Sequence, residues 1–132
     1  MKLSELVSAL KAEFRIPRLE PTGTVYTLRV NDVQTIYLES DKAEGRFLLY
    51  TSLGPLPMEH TQRHLEALLK AQLFGTHTYD AVFALDPKLN EILLFLKLTE
   101  EALTFSRFME VLQNFLGLAD HWSKSLQQEP QP

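Results

Sequence analysis

Apolar residues recur along this chain with two periods, and the switches between them mark out its elements. Leu3, Leu6, Val7, Leu10 and Phe14 form one stripe of a helix over residues 3–14, which Pro17 and Pro21 bring to an end. Alternation then takes over. Tyr26, Leu28 and Val30 face one way in a strand at 24–30. A tight turn at Asn31-Asp32 leads to a second strand at 33–39, where Ile36 and Leu38 oppose Tyr37 and Glu39. The polar loop at 40–45 precedes a third strand at 46–53. Pro55-Leu56-Pro57 breaks the pattern, and Pro57 suits the first turn of a helix. That helix is expected to run to Phe74, with Leu65, Leu68, Leu69 and Leu73 on one side and Gly75 as its stop. Strands at 79–85 and 91–98 follow, joined by the turn Asp86-Pro87-Lys88-Leu89-Asn90. Thr99 is placed as the cap of a long final helix, with Glu100 and Glu101 favourable to its dipole. Phe105, Phe108, Met109, Leu112, Phe115, Leu116, Ala119 and Trp122 recur along it at helical spacing. The order is αβββαββα, an α+β fold in one domain at 1–126, with a polar, disordered tail at 127–132.

The strands carry a second signal. An antiparallel sheet covered on one face should be polar on the other. Here Leu93 and Phe95 oppose Ile92, Leu94, Leu96 and Leu98; Leu48 and Tyr50 oppose Phe47, Leu49 and Leu53; Val82 opposes Tyr79, Phe83 and Leu85. Burying one Leu or Phe is worth about 1.5–3 kcal/mol, so four or five left wet forgo about 8–12 kcal/mol, the scale of a whole domain's stability. Either the second helix covers the other face within one monomer, or the face is a partner surface. Large exposed apolar patches mark association sites, which favours the second reading.

Composition narrows the chemistry. With 132 residues the chain is long enough for a sizeable core without staples. It has no cysteine, which excludes disulfides and thiolate sites and leans toward a reducing cytoplasm. No signal-peptide run opens it and no window could span a membrane. A net charge of −4 without a basic face argues against nucleic acid. His60 and His64 stand four apart, a spacing that can place two imidazoles on one metal, but no third ligand accompanies them and solvated helix histidines are expected. His77 and His121 read as surface or packing residues. Asp80 and Asp86 point to one face of a strand but stand about 20 Å apart, too far for a carboxylate pair. No serine sits in a nucleophile elbow and no glycine-rich loop could cradle phosphate. The expectation is a protein with no metal and no cofactor that is not an enzyme.

Two stretches carry a family resemblance. One is Leu68-Leu69-Lys70-Ala71-Gln72-Leu73-Phe74-Gly75 leading into Tyr79-Asp80-Ala81-Val82-Phe83-Ala84-Leu85-Asp86. The other is Leu98-Thr99-Glu100-Glu101-Ala102-Leu103 followed by Phe108, Leu112, Phe115, Leu116, Ala119 and Trp122. With the element order, they resemble the type III secretion chaperones of the Tir-chaperone (CesT) family over nearly the whole chain. The resemblance implies a cytoplasmic bacterial homodimer, using no nucleotide, that binds the N-proximal segment of a secreted effector in extended form. It implies a dimer interface at Leu65, Leu68, Leu69, Leu73 and Val82. It places effector contacts at Leu6, Leu10, Tyr26, Leu28, Ile36 and Leu38, residues whose pattern fits simple monomer core equally well. A regulatory binding protein on the same fold, sequestering another chaperone or a secretion regulator, is the alternative. Two departures stand out: the stiff Pro55-Leu56-Pro57, and Gly117 inside the last helix, read as a bend or a close approach.

Overall fold

The computed structural model describes residues 1–41 and 45–128; the middle of the expected polar loop, 42–44, and the end of the expected tail, 129–132, lie outside them. The elements follow the expected order: α1 (Leu3–Glu13), β1 (Val25–Arg29), β2 (Thr35–Ser40), β3 (Arg46–Pro55), α2 (Thr61–Ala71), β4 (Val82–Asp86), β5 (Glu91–Thr99) and α3 (Phe105–Leu126). The strands form one five-stranded sheet in the order β1-β2-β3-β5-β4. β1 and β2 pair antiparallel, as do β2 with β3 and β4 with β5. The chain divides into two compact units, Met1–Tyr50 with Lys97–Leu112, and Thr51–Leu96 with the residues from Gln113 onward.

In the first unit, Leu28, Ile36, Leu38, Phe47 and Leu49 are buried on one sheet face, and the Phe47 ring meets Phe108 of α3 at 6.4 Å. Leu6 and Leu10 of α1 are buried as well. The Glu100 carboxylate accepts from the Leu3 backbone N–H at 2.5 Å and ties α1 to the turn before α3. The opposite face keeps Tyr37, Leu48 and Tyr50 half-buried. In the second unit, Phe83, Ile92 and Leu94 are buried and Phe83 meets Trp122 edge-on at 5.4 Å. Across the same strands Val82 is paired with Phe95 and Ala84 with Leu93, and all four keep surface. The two-sided apolar pattern is thus real in both units.

Several boundaries differ from expectation, each for a local reason. The β1–β2 connection is wider than a two-residue turn, because the Asn31 side chain accepts from the N–H groups of Val33 and Gln34 and holds both outside β2. α2 begins at Thr61, not Pro57. Leu56 still donates to the Asn90 carbonyl at 2.9 Å, and His60 takes a left-handed conformation at the helix start. β4 begins at Val82 because Tyr79 and Asp80 are both left-handed, so Asp80 does not share a strand with Asp86. α3 begins five residues later than expected, at Phe105. Thr99 closes β5, Glu100 is engaged by Leu3, and the Thr104 hydroxyl accepts from the Arg107 N–H at 3.1 Å instead. At Gly117 the helix is continuous and a Cβ would meet nothing within 4 Å, so neither bend nor close approach explains the glycine.

Candidate functional site

α2 leaves an uneven apolar edge on the second unit. Leu68 points inward and is only 3% exposed, whereas Leu65 and Leu69 of the same helix are 37% and 64% exposed. Beyond Ala71 the chain makes a single 3-10 turn, Leu73–Gly75, in which Phe74 is left-handed. That conformation throws the Phe74 side chain outward, to 89% exposure. Gly75 then comes so close to Asp80 that an added Cβ would lie 3.2 Å from the Asp80 Cα. The Asp80 N–H donates to the Gly75 carbonyl at 3.1 Å, closing a compact knuckle. Left-handed non-glycine residues are costly, and Phe74, Tyr79 and Asp80 concentrate that cost in seven residues.

β4 is the last strand of the sheet, so one of its edges has no partner strand among the described residues. The Gln72 side-chain oxygen accepts the Phe83 N–H at 2.8 Å on that edge. Leu65, Leu68, Leu69, Phe83, Leu85 and Ile92 line a shallow apolar groove of about 170 Å³ between the helix and the strands. Leu73, Phe74, Tyr79 and Val82 of the same unit are exposed as well.

Four of the five expected interface residues, Leu65, Leu69, Leu73 and Val82, therefore carry open surface, while Leu68 is core. Phe74 and Leu85 belong to the same region and were not singled out by helical periodicity. Phe74 lies past the helix end, and Leu85 shares its strand face with buried Phe83. The effector-contact set is a different matter. Leu6, Leu10, Ile36 and Leu38 have no exposed surface and Leu28 has 1%; only Tyr26 keeps part of its side chain accessible. Those five are core residues, because an inward strand or helix stripe has the same spacing as a docking stripe. His64 is buried rather than solvated, and His60, exposed, occupies the N-cap position in a left-handed conformation. Among the described residues no group of three or more His, Cys, Asp or Glu could hold a metal ion. No helix among them is long and apolar enough to cross a membrane. His121 packs edge-on against Trp122 at 5.2 Å.

The half-exposed face of the first unit holds its own arrangement. Tyr37 and Tyr50 are cross-strand partners whose rings stack at 5.2 Å and 22°. The Tyr50 hydroxyl donates to the Glu39 carboxylate at 3.4 Å. Partial burial, and then the charge and hydrogen bond of Glu39, raise the Tyr50 pKa above the ordinary tyrosine value.

No curated protein matches the sequence. Solved structures do match the fold. One is the Yersinia pestis type III secretion chaperone SycH in complex with a stable fragment of YscM2. The match has 17% identity and a TM-score of 0.71, and covers 92% of this chain and 99% of that one. A second is the ExsC-ExsE complex, with 20% identity, a TM-score of 0.75 and coverage of 96% and 97%. A third is the heterodimeric ExoU-SpcU complex from the type III secretion system of Pseudomonas aeruginosa, with 12% identity, a TM-score of 0.72 and coverage of 93% and 96%. The family model of the Tir chaperone proteins matches residues 5–123, nearly the whole described chain. With its order of elements and its five-stranded antiparallel sheet, this chain belongs to the Tir chaperone protein (CesT) family.

Proposed function

We propose that the protein is a type III secretion chaperone: a cytoplasmic homodimer that binds the N-proximal segment of a secreted effector in extended form, keeps it export-competent and performs no catalysis. The observation that carries this reading is membership of the chaperone family over residues 5–123. The open apolar edge of α2 and β4 supports its dimeric part. That edge presents ridge and groove on one patch, with Leu69 and Leu73 protruding beside a groove floored by Leu68 and Phe83. A two-fold interface needs such a self-complementary surface, because each copy must offer both halves of the contact. The interface we propose comprises Leu65, Leu69, Leu73 and Val82, extended by Phe74 and Leu85 and floored by Leu68. Effector contacts are assigned to surface that the fold leaves accessible, including Tyr26, rather than to the buried leucines.

The test is coexpression with N-terminal segments of candidate effectors, followed by size-exclusion chromatography and sedimentation. A dimer of twice 15.2 kDa that coelutes with one segment is the expected result. A strict monomer across concentrations that retains no segment would overturn the proposal. Leu69→Glu places a charge in the apolar seam and should dissociate or precipitate the dimer; an intact dimer in that variant would show the interface lies elsewhere.

A further inference from the structure

On the half-exposed sheet face of the first unit, a carboxylate stands beside aromatic groups and pairs with no cation among the described residues. Glu39 is partly buried, with Val25 beside it on β1 and Leu48 beside it on β3. Among the described residues its carboxylate accepts one hydrogen bond, from Tyr50 at a long 3.4 Å. Two basic groups of the first unit, Arg29 and Arg46, are engaged elsewhere. The Arg29 guanidinium donates to the carbonyls of Asn31 and Asp32 in its own turn, and Arg46 pairs with Asp41 at 3.6 Å. Lys97, exposed on β5, makes no ion pair among the described residues. Tyr37 and Tyr50, both half-buried, stack on each other at 5.2 Å beside that charge.

A planar cation satisfies all three groups together. It can lie against a tyrosine ring, attracted by the quadrupole, and donate in-plane hydrogen bonds to the carboxylate. An ammonium can do the second but matches the flat ring less well. We propose that Tyr37, Tyr50 and Glu39 form a seat for an arginine side chain of an extended protein segment bound on this face. The inference deepens the chaperone reading, on which it rests for the nature of the partner, by naming a side chain that the partner contributes. Charge complementarity on a protein of net charge −4 supplies the direction. Two tyrosines held by the sheet supply the geometry, with little side-chain entropy left to lose.

The probe is a five-residue peptide with a central arginine between threonines, titrated into the full chain and followed by amide chemical shifts. Its counterpart carries citrulline, which keeps the planar shape and loses the charge. Shifts should concentrate on Thr27, Tyr37, Glu39, Leu48 and Tyr50, and the citrulline peptide should bind about fivefold more weakly or worse. Glu39→Gln should weaken the arginine peptide by a similar factor while leaving the unfolding midpoint and far-UV spectrum unchanged. Tyr50→Leu should remove the preference for arginine over citrulline. Equal binding of the two peptides, or shifts confined to α2 and β4, would overturn the proposal. Effector binding is scored separately by coelution. A selective arginine seat on a chain that retains no effector would break the chaperone reading alone, and coelution with effector but no arginine selectivity would break this inference alone.

Discussion

Gly75 and Gly23 both have positive φ, +72° and +65°, but only Gly75 has a close neighbour. Replacing each by alanine therefore separates two costs that usually arrive together. At Gly23 an added Cβ meets nothing within 4 Å, so only the left-handed backbone matters. That costs about 1–2 kcal/mol, partly offset by about 0.4–1 kcal/mol from a less flexible unfolded chain. Gly23→Ala should lose about 1 kcal/mol. At Gly75 the same Cβ would sit 2.7 Å from the Asp80 Oδ1 and 3.2 Å from its Cα. The carboxylate can swing away. The backbone is less free, because Asp80 is itself left-handed and hydrogen-bonded to the Gly75 carbonyl. Overpacking of this kind adds about 1–3 kcal/mol, so Gly75→Ala should lose about 2–4 kcal/mol. The assay is urea unfolding of both variants at one fixed protein concentration, since association shifts apparent stability, with slopes compared to exclude a change in the unfolded state. Asp80→Ala in the Gly75→Ala background should recover part of the loss. If the two glycine variants agree within about 0.5 kcal/mol, the close approach contributes nothing and the account of the knuckle is wrong.

Other outcomes follow from single features. Thr78 is fully buried and its hydroxyl has no hydrogen-bond partner among the described residues, so Thr78→Val should raise stability by about 1–3 kcal/mol in the same assay; a loss would reveal a partner for the hydroxyl. Gly117→Ala fills open space on an unbroken helix and should gain about 1 kcal/mol; destabilisation would mean that the surface beside it needs the gap. For Tyr50 the folded pKa is raised, so the native state keeps its proton longer than the unfolded chain. Its contribution is complete below the unfolded value of about 10 and is lost as pH rises through the folded value. Phenolate absorbance should show one late-titrating tyrosine that moves to lower pH in Glu39→Gln, and an unmoved titration would detach Tyr50 from Glu39.

The order of elements was legible because each run of alternation or helical spacing is bounded by proline, glycine or Asx chemistry. The turn at Asp86–Asn90 forms as its residues dictate, with the Asp86 side chain accepting the Lys88 N–H. What single-chain periodicity does not carry is destination. Leu69 and Leu68 are adjacent leucines on one helix, and a rotation of one position separates open surface from core. Leu38 and Tyr37 differ in the same way across a strand. Long-range pairings are equally silent: Glu100 reads as a helix-start residue until Leu3, 97 positions away, takes its carboxylate. The left-handed Phe74, Tyr79, Asp80 and Ala102 carry no local signature, because the surrounding packing imposes the conformation.

Gln72 has an effect beyond its single bond. By occupying the Phe83 N–H at the open margin of the sheet, its amide takes one of the donors that another extended chain would need to zip onto. An invading strand must first evict the glutamine, forfeiting a settled bond before gaining its own. Edge pairing between copies at this position therefore carries an added cost, which works against lateral stacking into open-ended ribbons.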